Sequence, residues 1–543
     1  MSDHISTRFL FSFFLAGVLL ASCNKTIVPE TPDPTPTVIP TVVMPTSIAL
    51  ESESPLQLGW GETIPVQFRI SPESALDGLS LEDIVAMVSL EGRTGEVLSA
   101  YCLTEWKQEG ELFSALLCDK KNRGFYKDDA VLVFARTDDA GRKHQIRSRS
   151  FQVLSDSFRG PSTGLPVVFI DTPDAQPVTS KEVWMEGTAV RIFLADGTLD
   201  YDGTAQMKGR GNSTWTQFPK KPYALKLDAK AKILGMPKHK RWCLLANWMD
   251  RTLIRNAVAF EISRKTGLAW TPSGYFVELV LNGAHLGNYY LCEQPKVDKN
   301  RVNITELTSE SVEGGYLMEV DAWFDEPFKF RSPLYDVPWQ FKDPDEVTQE
   351  QYSYMYNYVS AFEASLMDDD RFAAREYRDY IDSDSWVDWW LVNELAQNGD
   401  VNQPKSIYIS KDVGGKLVAG PVWDFDWGTF IPVEFNPSAS EYNYSCRGPK
   451  FYLNRICRED SQFRSLAKQH WLRYREALST IPDYIDKLAA TLTESDAVNS
   501  RMWPIDRTTN QDVTLSFQAA VARLKRAYIE KYNWMDTTIN TYY

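Results

Sequence analysis

The chain has 543 residues, is 43% hydrophobic and 24% charged, and carries a formal net charge of −15. A chain of this length and ordinary globular composition folds as roughly two or three domains. The acidic balance argues against nonspecific nucleic-acid binding, which needs a basic surface, but leaves room for a local basic site that takes phosphate.

Phe9 to Ala21 is a short apolar run, too short for a typical membrane span, with Arg8 as the one certain cation ahead of it. It ends in Leu20-Ala21-Ser22-Cys23, which resembles a bacterial lipobox. The resemblance implies cleavage before Cys23 and lipid on its thiol. Residues 1–22 are therefore expected to be a lipoprotein signal peptide. The mature chain is expected to be exported and lipid-anchored to a bacterial membrane, on its periplasmic or cell-surface face. Residues 23–46 are rich in Pro and Thr with little to bury, which predicts an extended tether. From 47 to 157 the chain changes to short strand-like runs such as Thr63–Ile70 and Ala130–Ala135, separated by turn residues. That pattern predicts an immunoglobulin-like β-sandwich, read as a spacer or interaction module. Cys102 with Cys118, and Cys446 with Cys457, are sequence-local disulfide candidates, whereas Cys243 and Cys292 lie in apolar contexts that suit free buried thiols. There is no Cys-x-x-Cys, and the 5 histidines are scattered, so a structural zinc site finds no support.

Residues 165–430 mix strands and helices. Val167–Asp171 opens as a strand, Leu253–Thr266 reads as a helix ended by Gly267, and Val277–Leu291 reads as a hairpin turning at Asn282-Gly283. Tyr352–Met367 and Ser385–Gln397 read as helices, and Ser406–Ser410 with Leu417–Gly420 as a second hairpin. Residues 431–543 read as a loop region and then helices, including Phe463–Ser479 and Leu515–Lys531, packed on the preceding domain.

Chemistry concentrates in four places. In Lys208-Gly-Arg-Gly-Asn-Ser-Thr-Trp215, Gly209 and Gly211 would let backbone amides approach an anion, and Arg210 offers a planar donor fork for phosphate. The plainer alternative is a tight turn with a solvated Arg. Lys226, flanked by Leu225 and Leu227 on a strand, needs a partner if it points inward. Arg251 and Arg255 lie one helical turn apart near a helix start, where the dipole disfavours them, pointing either to an anionic partner or to an ion pair with Asp250. Asp400, in the polar loop Asn398–Ser406, is a candidate base or positioning group, or equally a cap or turn Asp. That loop leads through the second hairpin to Gly420-Pro-Val-Trp-Asp424-Phe-Asp426-Trp-Gly428. On an extended strand residues i and i+2 share a face, so Asp424 and Asp426 would aim at one point. Two carboxylates among Trp, Phe and Val call for a proton or a hard cation such as Mg²⁺. The order of these parts is that of a protein kinase, although no His-Arg-Asp or Asp-Phe-Gly is present.

The block from Met207 to Gly428 resembles the CotH family of atypical kinases. The resembling pieces are RGNSTW at 210–215, KKPYALKL at 220–227, WCLLANWMDRTLIRN ending at 256, VELVLNGAHLGNYYLCEQ at 277–294, GGYLMEVD at 314–321 and GPVWDFDWGTF at 420–430. The resemblance implies a multidomain chain: an N-terminal β-sandwich, an α+β diverged protein-kinase-like domain over 165–430, and a helical C-terminal region. It implies phosphoryl transfer from ATP to Ser or Thr hydroxyls of a protein substrate, with Mg²⁺ or Mn²⁺. Asp424 then corresponds to the metal-binding Asp, with Asp426 a second ligand or a structural partner, and Asp400 to the catalytic-loop Asp. Asn402, Gln403 and Lys405 are the candidates for a second metal or phosphate contact. Arg210 and Lys226 are expected at the phosphates, Glu293 or Glu261 opposite Lys226, and Tyr223 or Trp423 beside the base. Two readings of other classes stand beside this one: an Asp-x-Asp nucleotide-sugar transferase, and a non-catalytic surface lipoprotein that binds glycan or protein.

Overall fold

The computed structural model describes residues 43–59, 62–76, 85–90, 101–120, 126–138, 140–155, 161, 163–402, 404–431, 438–442, 452–507 and 510–542. The expected signal peptide, Cys23 and most of the Pro/Thr-rich stretch lie outside the described residues, as do Gln403 and Cys446. Among the described residues no helix is long and apolar enough to cross a membrane. The N-terminal region is rich in sheet, and the chain ends in helices.

The N-terminal strands are β1 (Ser47–Leu50), β2 (Leu56–Gln57), β3 (Thr63–Ser71), β4 (Val85–Leu90), β5 (Tyr101–Glu109), β6 (Leu112–Asp119), β7 (Tyr126–Thr137), β8 (Lys143–Arg147) and β9 (Phe151–Ser155). One sheet runs β1-β3-β6-β5 and the other β2-β9-β7-β4, with β8 on β7. Burial alternates along β6, so Phe113, Ala115 and Leu117 pack with Phe68 of their own sheet and Leu132, Phe134 and Val153 of the other. Cys102 and Cys118 stand opposite one another on β5 and β6 and form a disulfide. Cys457 is a free buried thiol, as are Cys243 and Cys292.

Seven further strands close into a barrel: β10 (Val167–Asp171), β11 (Met185–Phe193), β12 (Leu199–Gly209), β13 (Tyr223–Ile233), β14 (Met236–Leu245), β15 (Gly274–Leu281) and β16 (Ala284–Glu293). Antiparallel neighbours run around it, and β10 beside β15 closes it with one parallel pairing. The continuous apolar run of β10 follows from that position, where both faces are covered. Ala205 and Met207 of β12, Tyr223, Leu225 and Leu227 of β13, and Tyr289 and Leu291 of β16 alternate into the interior. β15 and β16 turn at Asn282-Gly283, both with positive φ (51° and 74°), as a two-residue hairpin of this twist requires. Two helices interrupt the barrel strands, α1 (Ser213–Gln217) and α2 (Arg255–Arg264).

The chain leaves the barrel through Gln294-Pro295-Lys296 and builds a second sheet from β17 (Tyr316–Val320), β18 (Lys329–Arg331), β19 (Pro338–Asp343), β20 (Ile407–Lys411) and β21 (Leu417–Ala419), in the order β18-β19-β17-β20-β21. Between β19 and β20 lie α3 (Gln349–Met367), started by a Thr348 capping box, α4 (Asp369–Ala373) and α5 (Ser383–Leu395), capped by Asp382. All of α5 from Trp386 to Leu395 is buried, as a helix enclosed on every side must be. Its core neighbours include α2, the outward side chains Cys243, Leu245 and Tyr290 of the barrel, and the C-terminal helices Ser461–Leu478, Ile481–Met502 and Phe517–Tyr542.

Those last helices are joined to the rest by buried polar contacts. Arg251 donates to Asp496 at 2.7 Å and to Ser500 at 3.0 Å. Lys220 is fully buried; its ammonium donates to Ala246 O at 2.9 Å, to Asn499 Oδ1 at 2.8 Å and to Asn288 O. Burial pushes its pKa down to about 7.

His470 sits between Asp388 (2.7 Å to Nδ1) and Asp384 (2.9 Å to Nε2), both on α5, while Asp388 also accepts from the Gly267 N–H at 3.0 Å just beyond α2. Burial opposes charging the ring, but the two carboxylates outweigh it and raise its pKa. A raised native pKa contributes stability that is fully present below the unfolded value and is lost as pH rises through the native one. Urea denaturation of His470→Asn against wild type should therefore show its largest gap below about pH 6.5, narrowing at higher pH. A gap independent of pH would mean the imidazole stays neutral.

Candidate functional site

The segment 420–430 is not a strand. Asp424 has φ +65°, a left-handed conformation that Asp tolerates better than most residues, and this breaks the alternation expected of an extended run. Asp424 is exposed and Asp426 half-buried, yet both line one cleft of about 570 Å³. Their convergence comes from how the loop is pinned. The Phe425 N–H donates to Asn256 Oδ1 at 2.7 Å, and the Gly428 N–H to Asn510 Oδ1 at 2.8 Å. Asn510 in turn donates to Asp426 O at 2.8 Å and to Met249 O at 3.0 Å. Arg255, fully buried, donates to Thr429 O at 3.2 Å while pairing with Asp250 and, at 3.3 Å, with Asp512. Arg251 and Arg255 thus have partners within the protein.

Asp400 lies in a 3-10 turn (Gly399–Asn402) just after α5, buried, 3.3 Å from Lys405 Nζ. Burial pushes its pKa up to about 7, with Asp424 adding to the shift and Lys405 opposing it. Asp426 is pushed well above the ordinary carboxylate range by burial, then by Asp424 and Asp250, against Arg210. Asp400 and Asp426 therefore share the cleft with Asp424 under conditions that favour their own protonated forms. Ser406 joins Asp424 to the second sheet: its hydroxyl donates to Asp424 Oδ2 at 3.3 Å and its N–H to Asp321 Oδ2 at 3.1 Å.

Across the cleft stands the Lys208–Asn212 turn. Gly209 is required by packing, since a Cβ there would lie 2.4 Å from the Trp215 ring, and Gly211 by its φ of +81°. Two amides of this turn are already engaged: Gly209 N–H donates to Ser180 O at 2.8 Å and Arg210 N–H to Pro222 O at 3.2 Å. The glycines shape the turn, and the side chains carry the charge. The Arg210 guanidinium lies 5.5 Å from the Trp423 ring centroid, in the Coulombic field of Asp424. Lys208 lines the cleft beside it, 4.9 Å from the Trp184 ring.

Arg210, Asp400, Trp423, Asp424 and Asp426 thus share the cleft. Tyr223 does not: it points into the barrel and packs with Trp215 and Tyr289. Trp423 is 7% exposed and stacks on Phe260, which suits it to holding Arg210 rather than to bordering a base. Lys226 follows Ala224 on the outer face of β13 but is not part of the cleft lining; Lys208, opposite Ala224 on β12, occupies the wall instead. Neither proposed partner of Lys226 meets it, because Glu293 lies 3.6 Å from Arg301, and Glu261 pairs with Arg264 and Lys265. The Asn402 side chain lies outside the described residues.

The sequence reading missed an acidic pair on β17 and just beyond it. Glu319 and Asp321 face the cleft, with Lys342 3.0 Å from Glu319 and 2.5 Å from Glu326. Burial raises Asp321 to about 7, reinforced by Glu319, while the N–H groups of Trp323 and Ser406 oppose the shift. The i, i+2 spacing that drew notice to Asp424 and Asp426 is present here too, in Glu319-Val-Asp321.

A hard divalent cation fits the carboxylate donors at Asp424 and Asp426. Among the described residues no group of three or more His, Cys, Asp or Glu side chains is placed to hold a metal by itself. A cation here would therefore need phosphate, water or amide oxygens as well.

The family model described as CotH kinase protein matches residues 207–535. The match reaches past the Met207–Gly428 block into the last helix, in keeping with the Asn510 and Asp512 contacts. No curated protein matches. Among solved structures, the crystal structure of BcpA, the major pilin subunit of Bacillus cereus, is similar at 12% identity over 36% of this chain and 63% of that one, with a TM-score of 0.12. The chain thus spans less than two thirds of that pilin, and a score so low carries no argument about fold.

Asn256→Ala removes the acceptor of the buried Phe425 N–H and should cost about 1–3 kcal/mol in urea denaturation. A loss below about 0.5 kcal/mol would mean the loop is held without it.

Proposed function

The chain belongs to the CotH kinase family, whose model covers more than half of its length, and from that premise we propose that it transfers the γ-phosphate of ATP to Ser or Thr hydroxyls of a protein substrate. The observation that carries the reading is the meeting of Asp400, Asp424 and Asp426 with Arg210 and Lys208 in one cleft. Asp424 and Asp426 would hold Mg²⁺ or Mn²⁺, which when bound offsets the negative charge of the phosphates. Asp400, fixed by Lys405, accepts the proton of the attacking hydroxyl as its oxygen bonds to phosphorus and the bond to the departing diphosphate breaks. Arg210 and Lys208 stabilise the charge that gathers on the phosphate oxygens, Lys208 taking the place expected for Lys226. The diverged kinase-like domain then comprises the barrel, the second sheet and the helices that pin the loop.

Setting is part of the same proposal. Leu20-Ala21-Ser22-Cys23 supports export and a lipid on Cys23, which would hold the chain on a bacterial membrane at its periplasmic or surface face. The Cys102–Cys118 disulfide supports an oxidising compartment.

Incorporation of labelled phosphate from ATP into protein should fall by about 10²–10⁴-fold in Asp400→Asn and at least as far in Asp424→Ala. In wild type the rate should rise with pH through about 7 as the Asp400 carboxylate ionises. Wild-type transfer rates in both variants would sink the assignment of the site.

A further inference from the structure

Asn247, Trp248 and Met249, in the turn between β14 and α2, line the cleft, and neither Asn247 nor Trp248 has a role in the proposed reaction. Asn247 is 3% exposed and held at φ +49°. Its Nδ2 donates to Leu253 O at 3.1 Å, which fixes the orientation of the amide, because the flipped group would set two oxygens against each other. The Oδ1 that remains is buried without any partner. A carbonyl oxygen left so costs about 1–3 kcal/mol unless something completes it.

What completes it can be read from its neighbours. Asp250 N–H donates to Asn247 O at 3.2 Å, and the field of Asp250 reaches Asp426. Asn510 holds Met249 O and Asp426 O with a single amide group, and Arg255 spans from Asp250 to Thr429 O. The turn and the aspartate loop are thus tied together twice, and Asn247 lines the same cleft as Asp424 and Asp426. The adjacent Trp248 carries the complementary vacancy, a buried indole N–H with no acceptor. An unpartnered oxygen and an unpartnered N–H on two residues that line one cleft suit a cation bound to an oxyanion, the oxygen meeting the metal and the N–H the phosphate side.

We propose that the Asn247 side-chain oxygen is a third protein ligand of the divalent cation held by Asp424 and Asp426. This rests on the phosphoryl-transfer reading. It supplies a neutral amide oxygen where, among the described residues, no third acid is grouped with Asp424 and Asp426 to hold a metal, and Mg²⁺ and Mn²⁺ accept such oxygens readily.

The test is Mn²⁺ binding to the full chain without nucleotide, followed by electron paramagnetic resonance. Asn247→Gly keeps the left-handed backbone and removes the oxygen, and it should weaken Mn²⁺ by about 10-fold or more. Asn247→Asp adds charge at the same atom and should tighten binding. Asp424→Ala should abolish it. Affinities within about twofold of wild type in both Asn247 variants, with Asp424→Ala still defective, would overturn the Asn247 assignment and leave the metal site standing. Should Asn247→Gly fail to fold, unchanged affinity in Asn247→Asp overturns it alone. Absence of Mn²⁺ binding in wild type would overturn the metal site and the Asn247 assignment together.

Discussion

The buried Arg255 guanidinium is the contact on which the cleft depends. It has no exposure, and it reaches Asp250 in its own turn, Thr429 O at the end of the aspartate loop and Asp512 ahead of the last helix. Taking three charges out of water is costly, and such a cluster persists only when nearly every donor is satisfied. Asp250 also accepts from the N–H groups of Thr252 and Arg255, both at 2.9 Å. The result fixes three separate stretches of chain around one point, and the aspartate loop inherits its position from that point. Dipole arguments make an Arg at a helix start unfavourable. Here the partners are carboxylates and a carbonyl, and the local penalty is offset by long-range pairing.

The cleft itself is mixed in sign at short range. Lys405 stands against Asp400, Arg210 near Asp424, and Lys342 between Glu319 and Glu326. Burial works against the Lys342 ammonium, yet the acids around it keep it protonated far above neutrality. A wall of one sign would attract any counter-ion. Alternating signs favour a ligand that itself carries both, and a nucleotide with its cation is of that kind.

Much of this was legible in the sequence, and the failures have physical causes. Asp424 and Asp426 stood out because charges within apolar runs need a reason, and Asp400 because it sits in a polar loop between an apolar helix and the hairpin leading to them. Asn282-Gly283 was readable as a turn because few pairs tolerate positive φ twice. Tyr223 and Lys226 were misplaced because alternation says which residues share a face but not how far along the barrel the cleft extends. The glycines of the Lys208–Asn212 turn were read as anion-facing, whereas Trp215 packing against Gly209 is what demands the first of them. Glu319 and Asp321 carried a visible signal that went unused. Asn510 and Asp512 carried none, since their partners Met249, Arg255 and Asp426 lie far away in sequence and only the folded chain brings them together.

The remote origin of those two residues has a consequence for biosynthesis. A chain made from its N-terminus has its barrel strands in hand by Glu293 and its three carboxylates by Asp426. Asn510 and Asp512 are added only later, and until then the aspartate loop lacks the amide that clamps Asp426 and Gly428, and Arg255 lacks one of its two acids. A ribosome-bound or prematurely terminated chain would thus hold Asp424 and Asp426 on a loop that Asn256 pins but Asn510 does not. The last clamp on the aspartate loop comes from the last part of the chain to be made, so that truncation ahead of Asn510 removes it while leaving the three carboxylates in the sequence.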